Sequence, residues 1–157
     1  MPRAYLGLGT NVGDRHQHLR DARAALDALP GTRVVAWSNT YETDPVGPVE
    51  QGQFLNAACV LETSLTPEEL LNAMNHLERH AGRAPQSQRV HWGPRELDVD
   101  LLLYDDRVID TPRLKVPHPA MHERWFVLKP LTDIAADVVH PTTGKTIAEL
   151  LAAVEQG

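Results

Sequence analysis

Two aspartates stand two residues apart, Asp98 and Asp100, in the run Leu97–Tyr104 (LDVDLLLY). On a strand, side chains alternate between faces, so both carboxylates point the same way. Carboxylates that close resist joint ionisation unless a cation intervenes. A hard ion such as Mg²⁺ takes carboxylate oxygens and keeps its other positions for water and phosphate oxygens. The pair could hold one or two such ions; the plainer alternative is two acids on a solvated strand face. Leu97, Leu101 and Leu103 share a period that the acids do not, which marks an interior strand and favours the metal. Directly upstream, the rigid turn Trp92-Gly93-Pro94-Arg95 would fix Trp92 and Arg95 near the acids. An indole stacks on a flat heterocycle, and a guanidinium grips phosphate bidentately. An isolated tryptophan is more often a core residue, but Arg83 and Arg89 precede this one within ten residues.

Other candidates lie on either side. The stretch Gly82–Glu96 has no apolar periodicity, and loops of that length tend to be lids, binding loops or disordered. With its arginines it reads as a lid that would shield a reactive phosphate from water. His118, within Val116-Pro117-His118-Pro119, could donate to a phosphate, ligate metal or cap a turn; Arg124 six residues on favours the phosphate. Tyr41–Gly47 and Phe54–Asn56 flank a loop with two prolines and two glycines, Asp44–Gly52. Its free backbone groups, the Asn56 amide and the Phe54 ring together suit a flat, polar-edged heterocycle. Asn56 serves equally well as a side-chain-to-backbone turn bond. Gly7–Asp14 (GLGTNVGD) lacks the pattern of a nucleotide-binding glycine loop and reads as a turn where glycine permits close backbone approach.

The elements that must position these residues follow from periodicity and punctuation. Ala4–Gly9 is a short apolar strand. Leu19, Ala22, Leu26 and Leu29 recur at helical steps within Arg15–Leu29, which Pro30-Gly31 ends. Arg33–Glu42 and Phe54–Thr63 are strands rich in β-branched and aromatic residues. Thr66, Pro67 and Glu69 form a capping box ahead of a second helix, with Leu70, Leu71, Met74 and Leu77 on its apolar face and Gly82 at its end. Leu97–Tyr104 is a buried strand, followed by a short one around Val108–Ile109. Thr111–Arg124 is broken by prolines. Trp125–Ala135 and Ile147–Val154 are helices, the latter capped by Thr146 and Glu149. The order strand, helix, strand, strand, helix, strand is the split βαβ plan, a ferredoxin-like α+β fold. Its antiparallel sheet would carry the two helices on one face, with C-terminal additions. Such a fold hosts many activities, so function rests on the site.

Composition narrows the classes. A chain of 157 residues with 42% hydrophobic and 23% charged residues suits one folded domain spanning 1–157 and excludes wholesale disorder. The net charge of −6 argues against bulk nucleic-acid binding, and no apolar run is long enough for a membrane span. A lone cysteine, Cys59, rules out an internal disulfide, and a reducing, cytoplasmic setting follows as the default. Seven of the 12 arginines fall between His76 and Arg124, which inside an acidic protein points to a phosphorylated ligand or else to solvated surface charges.

Taken together, AYLGLGTNVGDR, SNTYETDPVGPVEQGQFLNAA, LERHAGR, WGPRELDVDLLLYDD and VPHPAMHERWFVLKPL resemble the 6-hydroxymethyl-7,8-dihydropterin pyrophosphokinase family over nearly the whole chain. The combination of WGPRxLDxD with the VPHP segment is highly specific. The resemblance implies a ferredoxin-like fold, ATP, two Mg²⁺, and transfer of the terminal pyrophosphate of ATP to the pterin's hydroxymethyl oxygen. By position it implies Asp98 and Asp100 as metal ligands, with Trp92, Arg95, His118 and Arg124 at the ATP and its phosphates. It further implies Arg83 and Glu78 near the nucleotide. Thr43, Val46, Phe54, Asn56, Trp92, Asp98 and Phe126 would surround the pterin. Arg89, Arg95 and Arg124 would stabilise the transferring group. The sequence departs from the family pattern at His91, where Arg or Lys is frequent, at Phe54 in place of Tyr, and at Glu96 in place of Thr. The stretch between Arg83 and Trp92 also looks longer than in some relatives. A monomer is expected, with an oligomer left open. Two rival readings use only part of this constellation. A metal-dependent hydrolase does not need the Phe54/Asn56/Phe126 pocket, and a ligand-binding regulatory module does not need the carboxylate pair.

Overall fold

The computed structural model describes residues 1–44, 53–81 and 97–156. Strand β1 (Arg3–Thr10), helix α1 (Arg15–Asp27), strands β2 (Thr32–Trp37), β3 (Tyr41–Thr43) and β4 (Phe54–Thr63), helix α2 (Pro67–Ala81) and strand β5 (Asp98–Tyr104) follow in order. A two-stranded ribbon, β6 (Ile109–Asp110) with β7 (Lys115–Val116), leads through a 3₁₀ turn at Met121–Glu123 to α3 (Trp125–Ala135) and α4 (Ile147–Gln156). The main sheet runs β2-β4-β1-β5, with β3 extending β4's pairing, and every neighbouring pair is antiparallel. This is the ferredoxin-like strand order expected from the element sequence.

Alternation along the strands separates two cores. Leu6, Leu8, Leu55, Cys59, Leu61, Val99 and Leu101 face Leu19, Ala22 and Leu26 of α1 and Leu70 and Met74 of α2. Tyr5, Ala58, Val60, Leu102 and Leu103 face Val127, Leu128 and Leu131 of α3 and Ile147, Leu150 and Leu151 of α4. The two helices of the repeat therefore share one face as expected, and the C-terminal helices cover the other. Both capping boxes form: Glu69 N–H donates to Thr66 Oγ1 (3.2 Å) and Thr66 N–H to Glu69 Oε1 (2.9 Å), with 3.1 and 2.9 Å for the Glu149–Thr146 equivalents.

Four expectations change. The strand expected over Arg33–Glu42 breaks at Ser38, whose hydroxyl accepts the Ala58 N–H at 2.7 Å in place of a ladder carbonyl. Gly7 and Gly9 lie inside β1, so the turn begins only after Thr10. In β5 a register shift pairs Leu6 with Leu101 but Tyr5 with Leu103. That bulge turns Leu102 and Leu103 to the same face, so Leu103 joins the acids' side instead of opposing them. Thr111–Arg124, expected only as proline-broken, contains the β7 arm of the ribbon.

Candidate active site

The sheet register builds the site floor. Gly9 pairs with Asn56 on one side and with Asp98 on the other; Gly7 pairs with Ala58 and with Asp100. All six belong to the face that α3 and α4 partly cover, as the parity of Tyr5, Ala58 and Val60 requires. Between the two rows of side chains, the glycines contribute none, and the floor sinks there. A cavity of about 560 Å³ opens above it, lined by Gly7, Gly9, Thr43, Phe54, Asn56, Asp98, Asp100, Arg124, Trp125, Phe126 and Val154, among others. Its size falls in the range of small-molecule sites.

Each wall has a local cause. Asn56 is buried, and its Nδ2 donates to Thr43 Oγ1 at 2.6 Å, which ties β4 to β3 and leaves Oδ1 over Gly9. Arg15, at the start of α1, donates to the Gln53 carbonyl (3.0 Å) and to Glu42 Oε1 (2.7 Å), joining the two strand ends that lead into residues 45–52. On the far wall, the Arg124 guanidinium lies 5.6 Å from the centre of the Phe126 ring. Trp125 Nε1 donates to Glu155 Oε2 at 3.0 Å and so ties α3 to α4 at the rim.

A second cavity, of about 340 Å³, lies on the other side of Asp100, between α2, β5 and the segment Pro112–Pro119. Leu71, Asn75, Glu78, Lys115 and His118 line it, and Asp100 lines both cavities. Glu78 Oε2 accepts the Val99 N–H at 2.8 Å. Because β5 is the edge of the sheet, this carboxylate docks α2 against the strand that carries the acids. His118 Nδ1 accepts the Ala120 N–H (3.3 Å), so Nε2 carries the ring proton of the neutral imidazole. Burial holds His118 below the ordinary imidazole pKa; Asp100 pulls it upward and Arg124 pushes it further down. His118 is thus a neutral donor placed within electrostatic reach of both.

The structure brings together Thr43, Phe54, Asn56, Asp98, Asp100, Arg124 and Phe126 around one cavity and Glu78 and His118 around the other, with Asp100 common. Val46, Arg83, Arg89, Trp92 and Arg95, and the lid expected over Gly82–Glu96, lie outside the described residues. Sequence reasoning passed over Asn75, Lys115 and Val154, and it read Gly7 and Gly9 as part of a turn. For the glycines a signal existed: glycine at every second position of a strand that must lie beside the acidic one.

The fold is shared with solved structures of Plasmodium falciparum HPPK-DHPS. One of them, wild type with SDX-DHP, superposes with a TM-score of 0.72 at 15% identity, covering 98% of this chain and 43% of that one. This chain therefore spans under half of that solved chain. The profile of the 7,8-dihydro-6-hydroxymethylpterin-pyrophosphokinase family matches residues 5–136. The 2-amino-4-hydroxy-6-hydroxymethyldihydropteridine pyrophosphokinase of Pseudomonas aeruginosa is 44% identical over 151 residues, 96% of this chain and 91% of that protein. Its namesake in Bacillus subtilis is 46% identical over 140 residues, 89% and 82% of the two chains. The chain belongs to the 7,8-dihydro-6-hydroxymethylpterin-pyrophosphokinase family. It is an enzyme, a pyrophosphokinase of folate biosynthesis, and enzymes of this class use ATP as a substrate. Among the described residues no helix is long and apolar enough to cross a membrane.

Proposed function

We propose that the larger cavity takes 6-hydroxymethyl-7,8-dihydropterin and the smaller takes ATP, and that the β,γ-pyrophosphoryl group passes between them beside Asp100. The observation that carries this reading is that Asp100 lines both cavities. In the transfer, the hydroxymethyl oxygen bonds to the β-phosphorus, the bond from that phosphorus to the α,β-bridging oxygen breaks, and the hydroxyl proton is lost. AMP and the pterin diphosphate result. Phe54 and Phe126 would sandwich the ring, and Asn56 Oδ1 would accept an N–H at its edge, with Asn56 itself held by Thr43. His118 Nε2–H and Arg124 would bind phosphate oxygens, and Arg124 would stabilise charge on the transferring group.

Asp98 and Asp100 suit Mg²⁺, which needs only one or two carboxylates when phosphates and water complete its shell. Among the described residues there is no group of three or more potential metal-ligating side chains that would mark a closed metal cage. Bound there, the two expected Mg²⁺ ions would supply positive charge against the triphosphate. Arg83, Arg89, Trp92, Arg95 and Val46 enter by the family resemblance: the first four at the nucleotide and phosphates, Trp92 at the pterin as well, and Val46 at the pterin alone. The reading takes residues 1–157 as one domain acting as a cytoplasmic monomer, without a nucleic-acid partner.

Incubation with ATP, Mg²⁺ and the hydroxymethyl dihydropterin tests the assignment. AMP should form only when the pterin is present. Phosphate or pyrophosphate release without pterin would make the protein a hydrolase, and no turnover in either case would make it a binding module.

A further inference from the structure

The exposed side of α2 carries a pair of imidazoles that the transfer reaction does not use. His76 and His80 are one helical turn apart and both exposed. Their Nε2 atoms lie 2.7 Å apart, with ring centres at 4.0 Å and planes at 80°. Two ring nitrogens approach that closely only by sharing a proton, one N–H donating to the other's lone pair. The two Nε2 atoms therefore already stand close to the spacing of two nitrogens on one small ion. Two imidazoles bound to one ion at ~2.0–2.1 Å, with an angle at the metal between square and tetrahedral, place their nitrogens about 2.9–3.4 Å apart. Exchanging the shared proton for a metal ion requires the two rings to part by a few tenths of an ångström on that geometry.

We propose that His76 and His80 form a bidentate site for a divalent transition-metal ion such as Ni²⁺, Cu²⁺ or Zn²⁺, with water completing the coordination. Imidazole selects these ions over Mg²⁺, which prefers oxygen, so the site does not compete for the ions assigned to the aspartate pair. A chelate spanning one turn also staples the C-terminal end of α2. Glu78, which docks this helix onto β5, lies within the stapled turn.

Calorimetric titration of untagged protein with Ni²⁺, in excess Mg²⁺ and slightly above neutral pH, tests the proposal. Wild type should bind one Ni²⁺ that His76→Ala and His80→Ala each weaken by about tenfold or more, since either change leaves a single arm. His16→Ala, a lone exposed histidine, should bind as wild type does. Equal affinity in wild type and both pair variants would overturn the site, as would wild type binding no more Ni²⁺ than the double variant. Electron paramagnetic resonance of the Cu²⁺ form gives an independent reading. Hyperfine structure from two imidazole nitrogens, reduced to one in each variant, is expected, and a single nitrogen in wild type would overturn the chelate.

Discussion

Gly9 offers a sharp test of the cavity floor. In Gly9→Ala the new methyl would meet Asn56 Oδ1 at 3.1 Å and Phe54 Cδ1 at 3.5 Å. The backbone itself accepts alanine, because Gly9 is not among the residues with positive φ. Two effects then oppose each other in stability. Alanine reduces the freedom of the unfolded chain, stabilising by about 0.4–1 kcal/mol, while overpacking costs roughly 1–3 kcal/mol if nothing yields. Asn56 cannot turn away freely, since its Nδ2 is held by Thr43 Oγ1 at 2.6 Å. The melting temperature should therefore move only slightly or fall modestly, whereas the floor rises by a methyl where the pterin ring would lie. A misplaced methyl in a fitted pocket is worth about 1–3 kcal/mol, or a 5–150-fold rise in KM for the pterin. KM for ATP should stay at its wild-type value. Gly7→Ala is the matched control, because its methyl meets Leu102 Cδ1 at 3.4 Å, an ordinary contact, and should change the pterin KM only a few-fold. AMP formation at varied pterin and fixed ATP measures both variants. A wild-type pterin KM in Gly9→Ala, or equal losses in the two variants, would refute the assignment of this cavity to the pterin.

Asp98→Ala and Asp100→Ala should each lower turnover by at least about 10²-fold at saturating ATP and Mg²⁺, as removing a group that organises charge in the transition state does. Asp100→Ala should also keep or raise the melting temperature, because it relieves carboxylate repulsion; near-wild-type turnover would remove that acid from the metal site. Arg15→Met should raise the pterin KM several-fold and leave that of ATP unchanged, since Arg15 joins the ends of β3 and β4 at Glu42 and Gln53; equal effects on both substrates would count against it. His140 is buried, and burial with its neighbour His122 holds its pKa below the ordinary imidazole value. Between the two values the unfolded chain binds the extra proton, so His140's contribution is complete above the unfolded pKa of ~6.5 and is lost as pH falls through the folded one. In His140→Asn an amide oxygen can still accept the Thr143 N–H, and the difference in denaturation midpoint from wild type should shrink below about pH 6.5; parallel profiles would refute this.

The parts legible in the sequence were those with local causes. Both capping boxes, the amphipathic faces of α1 and α2 and the span of α3 depend on residues within a turn or two of each other. The break at Ser38 was not legible, because the bond that replaces the ladder there comes from Ala58, 20 residues away. Nor was the bulge in β5, since LDVDLLLY alternates as well without it. Only the pairing with β1 shows that Leu102 and Leu103 both face α3 and α4. The placement of those two helices was likewise hidden, because an apolar stripe records that a face is buried and not against which layer.

The bulge bears directly on the site. Leu102 and Leu103 fill the core beneath α3 and α4, while Asp98 and Asp100 occupy the same sheet face at the open end. Unbroken alternation after Asp100 would place Leu102 and Tyr104 on that face and Leu103 on the other. With the bulge, Tyr104 turns to the α1–α2 side, where its hydroxyl donates to the Leu65 carbonyl, and two leucines anchor the strand on the α3–α4 side. The apolar half of β5 is thereby fixed from both layers. Its acidic half can face a cavity because Gly7 and Gly9 opposite leave space, and Glu78 pins the backbone between the two acids. With Leu103 and Tyr104 seated in opposite layers, the apolar half anchors β5 on both sides, while Asp98 and Asp100 keep the regular register with Gly9 and Gly7 that faces them into the cavity.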